Sequence, residues 1–262
     1  MSCPRRLLPV LAVLALNACG GAGSDARDAA AGADGPPPPP PYVTIPLEDA
    51  GRIEGTVRWE GPLPGDSVVA VGDSLARICG GSSMRLTIVS TAGGGVAGSI
   101  VWLADARRGR ALSASRRFEL ATERCRLTPA VQPAIAGGML NVLSLDRLVH
   151  RLQFIRPGTE GTVGRVEQFD AGQVVPLESV LSLPGPVTVR SDRFPWMEAW
   201  IHVFDHPYFA MTDRGGTFAL DSIPPGRYTL VVWHPSTGQR DTTVVVTAGD
   251  TSRLAISIGM GE

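Results

Sequence analysis

The chain's four histidines, His150, His202, His206 and His234, are the side chains suited to moving protons near neutral pH. None stands beside a serine, cysteine or paired carboxylate at a recognisable motif spacing. His202 alternates with Ile201 and Val203, which places it on the solvent face of a strand. His206 precedes Pro207 in a turn-like segment, and His234 precedes Pro235 just after a strand end, so both read as surface caps or a binding rim. Asp205 and His206 are adjacent, and in a strand their side chains go to opposite faces. No Gly-x-Ser-x-Gly or His-Glu-x-x-His pattern occurs, and no catalytic residue is assigned. All 24 basic residues are arginine, which excludes Schiff-base chemistry, PLP attachment and a P-loop lysine. Five rings, Trp196, Trp200, Tyr208, Phe209 and Trp233, crowd the last third. At alternating strand positions such rings are core; exposed in a row they form a binding platform, with Trp200, Tyr208 and Trp233 as its candidates.

The cysteines divide by position. Cys3 and Cys19 belong to the N-terminal segment: Arg5 and Arg6, an apolar run from Leu7 to Leu16, then Leu16-Asn17-Ala18-Cys19-Gly20. That is an export signal, residues 1–18, ending in a lipobox-like site, with Cys19 as the lipid acceptor; ordinary cleavage leaving a free thiol is the alternative. The apolar run is too short to cross a bilayer core of about 30 Å as a helix. Cys79 and Cys125 lack any second Cys or His at zinc spacing, and an oxidising compartment favours a disulfide between them over two buried thiols. Removing the leader leaves 22 basic residues against 25 acidic, so there is no electrostatic footprint for nucleic acid.

The elements that must position these residues are strands. Residues 19–50 are a flexible linker rich in Ala, Gly and Asp, closing in the run Pro36 to Pro41, a polyproline II spacer. From Arg52 onward, short β-branched and aromatic runs are cut by Gly, Pro and Asp: Ile53 to Trp59, Met84 to Val89, Ser99 to Leu103, Met139 to Leu145 and Val187 to Arg190. They continue as Ala199 to Phe204, Thr217 to Leu220, Arg227 to Trp233, Thr242 to Val246 and Arg253 to Ile258. Turns fall at Asp213-Arg214-Gly215-Gly216 and Pro224-Pro225-Gly226, and no stretch of twelve residues carries a helical stripe. The pattern predicts an all-β chain of two β-sandwich modules.

The stretch Phe194-Pro195-Trp196-Met197-Glu198-Ala199-Trp200, with Asp205 to Asp213, Gly216-Thr217-Phe218 and Pro224 to His234, resembles a family of bacterial envelope proteins. That family joins a cupredoxin-like domain to a carboxypeptidase regulatory-like domain of transthyretin-like type, also likened to the second domain of rhamnogalacturonan lyase. Gly51 to Val57, Asp73 to Gly80, Cys125 to Pro129 and Asp146 to His150 extend the match. The resemblance implies a cupredoxin-like module at 51–197 and a carboxypeptidase regulatory-like module at 198–262. In copper-bearing members a His, a Cys, a second His and a Met hold the metal. Here His150 and Met197 stand at two of those positions, Ser191 replaces the Cys and Phe194 the second His, and Ser144 replaces an Asn. A hydroxyl cannot replace a thiolate and a phenyl ring has no lone pair, so the blue-copper site is read as lost, with a residual site at His150 and Met197 as the minor alternative. No cofactor is implied. The resemblance implies a lipid-anchored, non-enzymatic binding or structural accessory of the envelope. Gly20 after the lipid-bearing Cys, by analogy with lipoprotein sorting, points to the periplasmic face of the outer membrane rather than the plasma membrane, and the expected partners are the membrane, through Cys19, and a glycan or another envelope protein.

Overall fold

Almost every apolar run between Gly and Pro turns becomes a strand, and the partners those strands choose make the architecture. The computed structural model describes residues 40–259 apart from 88, 160 and 169; the export signal, Cys19 and Pro36 to Pro39 lie outside the described residues. Among the described residues the fold is all-β, two sandwiches with one short α-helix, Ala76–Cys79, and a 3-10 turn, Ser179–Leu181.

One sandwich is host and the other insert. The host pairs a sheet in the order Phe209–Met211, Ile100–Leu103, Gly226–His234, Gly238–Val246 with a sheet built on Gly51–Trp59. Gly51–Trp59 is flanked by antiparallel Thr217–Ile223 on one side and parallel Thr251–Ile258 on the other. The core between them holds Ile53, Val57, Leu103, Tyr208, Leu230 and Val232. The insert pairs a sheet in the order Arg126–Thr128, Arg117–Glu123, Met139–Ser144, Val174–Leu177 with one in the order Val131–Ile135, Glu198–Phe204, Gly185–Ser191, His150–Ile155, Thr162–Gln168. Its core includes Leu120, Leu140, Phe154, Val189 and Ile201. Both cores close on residues between Tyr42 and Ile258, so 40–262 contains everything the two sandwiches need.

The division of the sheets corrects the expected boundary at 197/198. Glu198–Phe204 is an inner strand of the insert, while Gly51–Trp59, far upstream, is central to the host. The chain begins the host, leaves after Trp59 to lay the Ser67–Ala70 and Ser83–Leu86 hairpin on the insert, returns for Thr91 to Leu103, builds the rest of the insert and comes back at Phe209. Local pattern cannot reveal this, because the pairing of Gly51–Trp59 with Thr251–Ile258 is parallel and spans the entire insert.

Glu198–Phe204 explains how the sandwiches meet. Ala199, Ile201 and Val203 point into the insert core, while Trp200, His202 and Phe204 alternate onto the other face. That second face is covered by Trp102, Phe209 and Trp233 of the host sheet. His202 therefore does not face solvent as alternation alone suggests; the outer face of its strand is itself an interface.

At the far end of the insert, Cys79 and Cys125 form a disulfide with Cα atoms 5.1 Å apart. It pins the Ser67–Ala70 and Ser83–Leu86 hairpin, which packs Val69, Met84 and Leu86 on the insert core. Arg124 and Cys125 both adopt positive φ, 49° and 58°, a conformation costly to residues with a Cβ. Asp146 holds that turn by accepting hydrogen bonds from the N–H of Arg124 at 2.6 Å and of Cys125 at 2.9 Å.

Candidate functional site

Two places gather the sequence candidates: a cleft between the sandwiches, and the pole of the insert that carries His150, Ser191, Phe194 and Met197, called the metal pole after the sequence expectation.

The cleft, of about 510 Å³, lies where the outer faces of the two sheets diverge. Its walls include Trp102 and Trp233 from the host and Trp200, His202 and Phe204 from the insert. The indoles of Trp200 and Trp233 are 6.3 Å apart, and the His202 ring lies 4.4 Å from Trp233 and 5.5 Å from Trp102. All three tryptophans are half-buried. Pro157, Pro184 and Pro186 add apolar surface, and Arg107 and Asp205 supply charge at the rim. Flat apolar walls carrying few polar groups hold a ligand by stacking and orient it by a small number of hydrogen bonds.

Besides Thr188, Gln239 and the rim charges, the cleft's polar groups include two neutral imidazoles. Burial pushes His202 and His206 down to about 4, with Asp205 opposing the shift at His206. His206 Nδ1 accepts a hydrogen bond from the Tyr208 N–H at 3.2 Å, which leaves its other nitrogen as the N–H donor. His202 Nε2 is buried with no hydrogen-bond partner in the protein. His234 sits on the core side of its strand; its Nδ1 accepts from the Ser236 N–H at 3.2 Å, and burial lowers it likewise to about 4. His206 and His234 are thus buried, 3% and 4% exposed, and not the surface caps their sequence positions suggest.

Of the three platform candidates, Trp200 and Trp233 come together in the cleft and Tyr208 does not. Tyr208 is fully buried in the host core; its hydroxyl donates to the Ser222 carbonyl at 2.8 Å and accepts from the Arg110 N–H at 2.9 Å. It is a structural tyrosine joining the Arg110 segment to the strand Thr217–Ile223. Trp102 and Phe204 take its place in the walls, and sequence reasoning missed both. Their signal was present: Ile100–Leu103 and Ala199 to Phe204 are apolar at nearly every position, the mark of a strand buried on both faces.

At the metal pole, His150, Ser191, Phe194 and Met197 are all buried. Ser191 Oγ accepts hydrogen bonds from the N–H of Phe194 at 3.1 Å and of Arg193 at 3.3 Å, so the loop that would present a thiolate is closed on a hydroxyl. The Phe194 ring packs edge-on against His150 at 5.8 Å, filling space a second imidazole would need. His150 Nε2 lies 3.2 Å from Asp146 Oδ2, off the alignment of a hydrogen bond, and Nδ1 has no protein partner. Burial raises the Asp146 carboxyl, but His150 and the N–H groups of Cys125 and Arg124 outweigh it and hold that carboxyl below its usual range. One imidazole, one thioether and one hydroxyl do not make a blue-copper site, and these residues do not fit the metal. Among the described residues no three His, Cys, Asp or Glu side chains converge to hold an ion. Asp146 instead braces the turn that carries the disulfide, with the His150 ring beside its carboxylate.

Comparison with known proteins matches residues 183–259 to the carboxypeptidase regulatory-like domain family. The matched stretch contains the host strands after Phe209 and also Gly185–Ser191 and Glu198–Phe204, which pair within the insert. Among solved structures the chain is similar to a copper-containing nitrite reductase from Thermus scotoductus SA-01, with 15% identity over 36% of this chain and 24% of that one and a TM-score of 0.29. It thus spans about a quarter of the nitrite reductase's length. It is also similar to a purple cupredoxin from Nitrosopumilus maritimus, with 14% identity over 33% of this chain and 99% of that one, TM-score 0.29. A third is amicyanin from Paracoccus versutus, with 13% identity over 36% of this chain and 85% of that one, TM-score 0.29. No curated protein matches.

Proposed function

We propose that the chain is a non-enzymatic binding accessory of the cell envelope, held at the periplasmic face of the outer membrane by lipid on Cys19, and that it takes its ligand in the cleft between the sandwiches. The observation that carries this reading is the convergence of Trp102, Trp200 and Trp233, contributed by both sandwiches, around one opening of about 510 Å³. Half-open indoles supply stacking area at low entropic cost, and the neutral His202 and His206 supply hydrogen bonds without a nucleophile to drive chemistry. Carbohydrate is the ligand class these surfaces favour, since sugar rings offer an apolar face to stack and hydroxyls to bond. The experiment is calorimetric titration of the mature chain with neutral and acidic oligosaccharides. Binding that falls at least tenfold in Trp233→Ala supports the reading; equal binding by the variant overturns it. Anchoring is tested by metabolic labelling with a fatty acid, which must mark the native chain and not Cys19→Ser.

A further inference from the structure

We propose that the arginine-rich strap running from the host sandwich into the insert is a docking surface for anionic phospholipid headgroups. Between Ala106 and Phe118 the chain carries Arg107, Arg108, Arg110, Arg116 and Arg117 and no acidic residue. Arg107 is half-buried and the other four are exposed. Arg52, Arg85, Arg151, Arg190 and Arg253 each pair with a carboxylate; the strap's arginines, like Arg58, Arg77, Arg147, Arg193, Arg214, Arg227 and Arg240 spread singly elsewhere, are in none of the described ion pairs. Its acidic neighbours are Asp105, which is occupied by the Thr229 N–H, Asp205 at the cleft rim, and Glu119, two residues along the strand from Arg117. Residues 40–262 are nearly balanced, 21 basic against 22 acidic, so a run of five arginines within eleven residues and no carboxylate among them is a local concentration of positive charge that an anionic surface would find.

The strap is also where the described chain enters the fold. Val43–Thr44 pairs in parallel with Arg108–Gly109, and the Tyr42 hydroxyl donates to the Arg110 carbonyl at 2.6 Å. Arg110 is held by its own donation to the Pro207 carbonyl at 2.9 Å and by its seat over the Tyr208 ring. The other end of the strap returns to the same region: the Arg116 carbonyl accepts from the Met139 N–H, and nearby the Ala136 N–H donates to the carbonyl of Phe204, whose ring touches His206, itself beside Tyr42. Arg108 and Arg110 therefore border the point where the described chain enters the fold. Guanidinium groups bind phosphate oxygens in pairs, and each basic residue at an anionic membrane strengthens partitioning by about fivefold. A tethered body would thus settle on the membrane strap first, with the metal pole turned away. This orientation rests on the Cys19 reading; the docking chemistry does not.

The test is co-sedimentation of residues 40–262, without tether or lipid, with vesicles of phosphatidylcholine alone or with about a third phosphatidylglycerol. Binding is expected to the anionic vesicles only, and is lost in about 1 M salt, where screening shortens to about 3 Å. Arg108→Ala, Arg116→Ala and Arg117→Ala together should weaken it about a hundredfold. Arg151→Ala, Arg190→Ala and Arg253→Ala together, removing the same charge elsewhere, should leave it unchanged, with circular dichroism confirming both folds. Equal loss in the two triple variants, equal binding to neutral vesicles, or full competition by millimolar inorganic phosphate would overturn the proposal. A mature chain found without acyl groups on Cys19 would sink the anchoring reading and leave this result standing, so the two failures are separable.

Discussion

Ser191 and Phe194 stand where the family resemblance expects a thiolate and an imidazole, and the structure packs both into closed surroundings. If these two side chains are what removes copper chemistry, Cu(II) added to the native chain gives no intense thiolate-to-copper absorption, whereas Ser191→Cys with Phe194→His gives one. A native copper complex abolished by His150→Ala would show that the pole still binds metal. The buried imidazoles make a separate prediction. Unfolded, His202, His206 and His234 take up protons below about 6.5; folded, they refuse them until about 4. Their folded values are depressed, so stability is flat above about pH 7 and falls between 6.5 and 4, by on the order of 3 kcal/mol per histidine. Asp146, also depressed, contributes stability that is lost only at more acid pH. Urea denaturation across this range measures the slope, and His202→Phe should reduce it by about one proton. A flat profile would mean that the imidazoles are hydrated. At this scale the sequence exposed the donor types and their losses, but not burial: His202 reads as solvent-facing until its neighbouring sheet is known.

Strands were the legible elements. Runs such as Ile53 to Trp59 and Arg227 to Trp233 became Gly51–Trp59 and Gly226–His234, because period-two burial between turn residues is a local property. Val131–Ile135 and Thr162–Gln168 were harder to read, since Pro133 and Gly164 interrupt them and only their partners make them strands. The Cys79–Cys125 pairing was legible by elimination, and its effect belongs to the element it holds. With 46 residues of separation, the loop it closes stabilises the fold by about 4 kcal/mol on the chain-entropy model. Cys79→Ser with Cys125→Ser should lose that amount in denaturant titrations, and proteolysis should begin in the Ser67–Leu86 hairpin. An unchanged midpoint would show that Asp146 and hairpin packing suffice without the bond.

The whole molecule was the least legible scale. Two sandwiches follow from composition and strand spacing, but the insertion of one into the other depends on parallel pairing between Gly51–Trp59 and Thr251–Ile258, which leaves no local trace. That topology creates the cleft, since it brings Ile100–Leu103 and Gly226–His234 of the host against Glu198–Phe204 of the insert. It also separates the molecule's ends, with the strap beside the chain's entry and the disulfide and closed metal pole at the opposite end of the insert. The most direct test of a ligand-binding cleft is the indole N–H spectrum of the nitrogen-labelled chain, recorded during titration with soluble oligosaccharides. A ligand seated there shifts Trp102, Trp200 and Trp233 together, while Trp59 and Trp196, whose indole N–H groups bond the Pro62 and Cys125 carbonyls, stay fixed. Three cleft signals that no oligosaccharide moves, or shifts confined to Trp59 and Trp196, would contradict carbohydrate binding between the sandwiches.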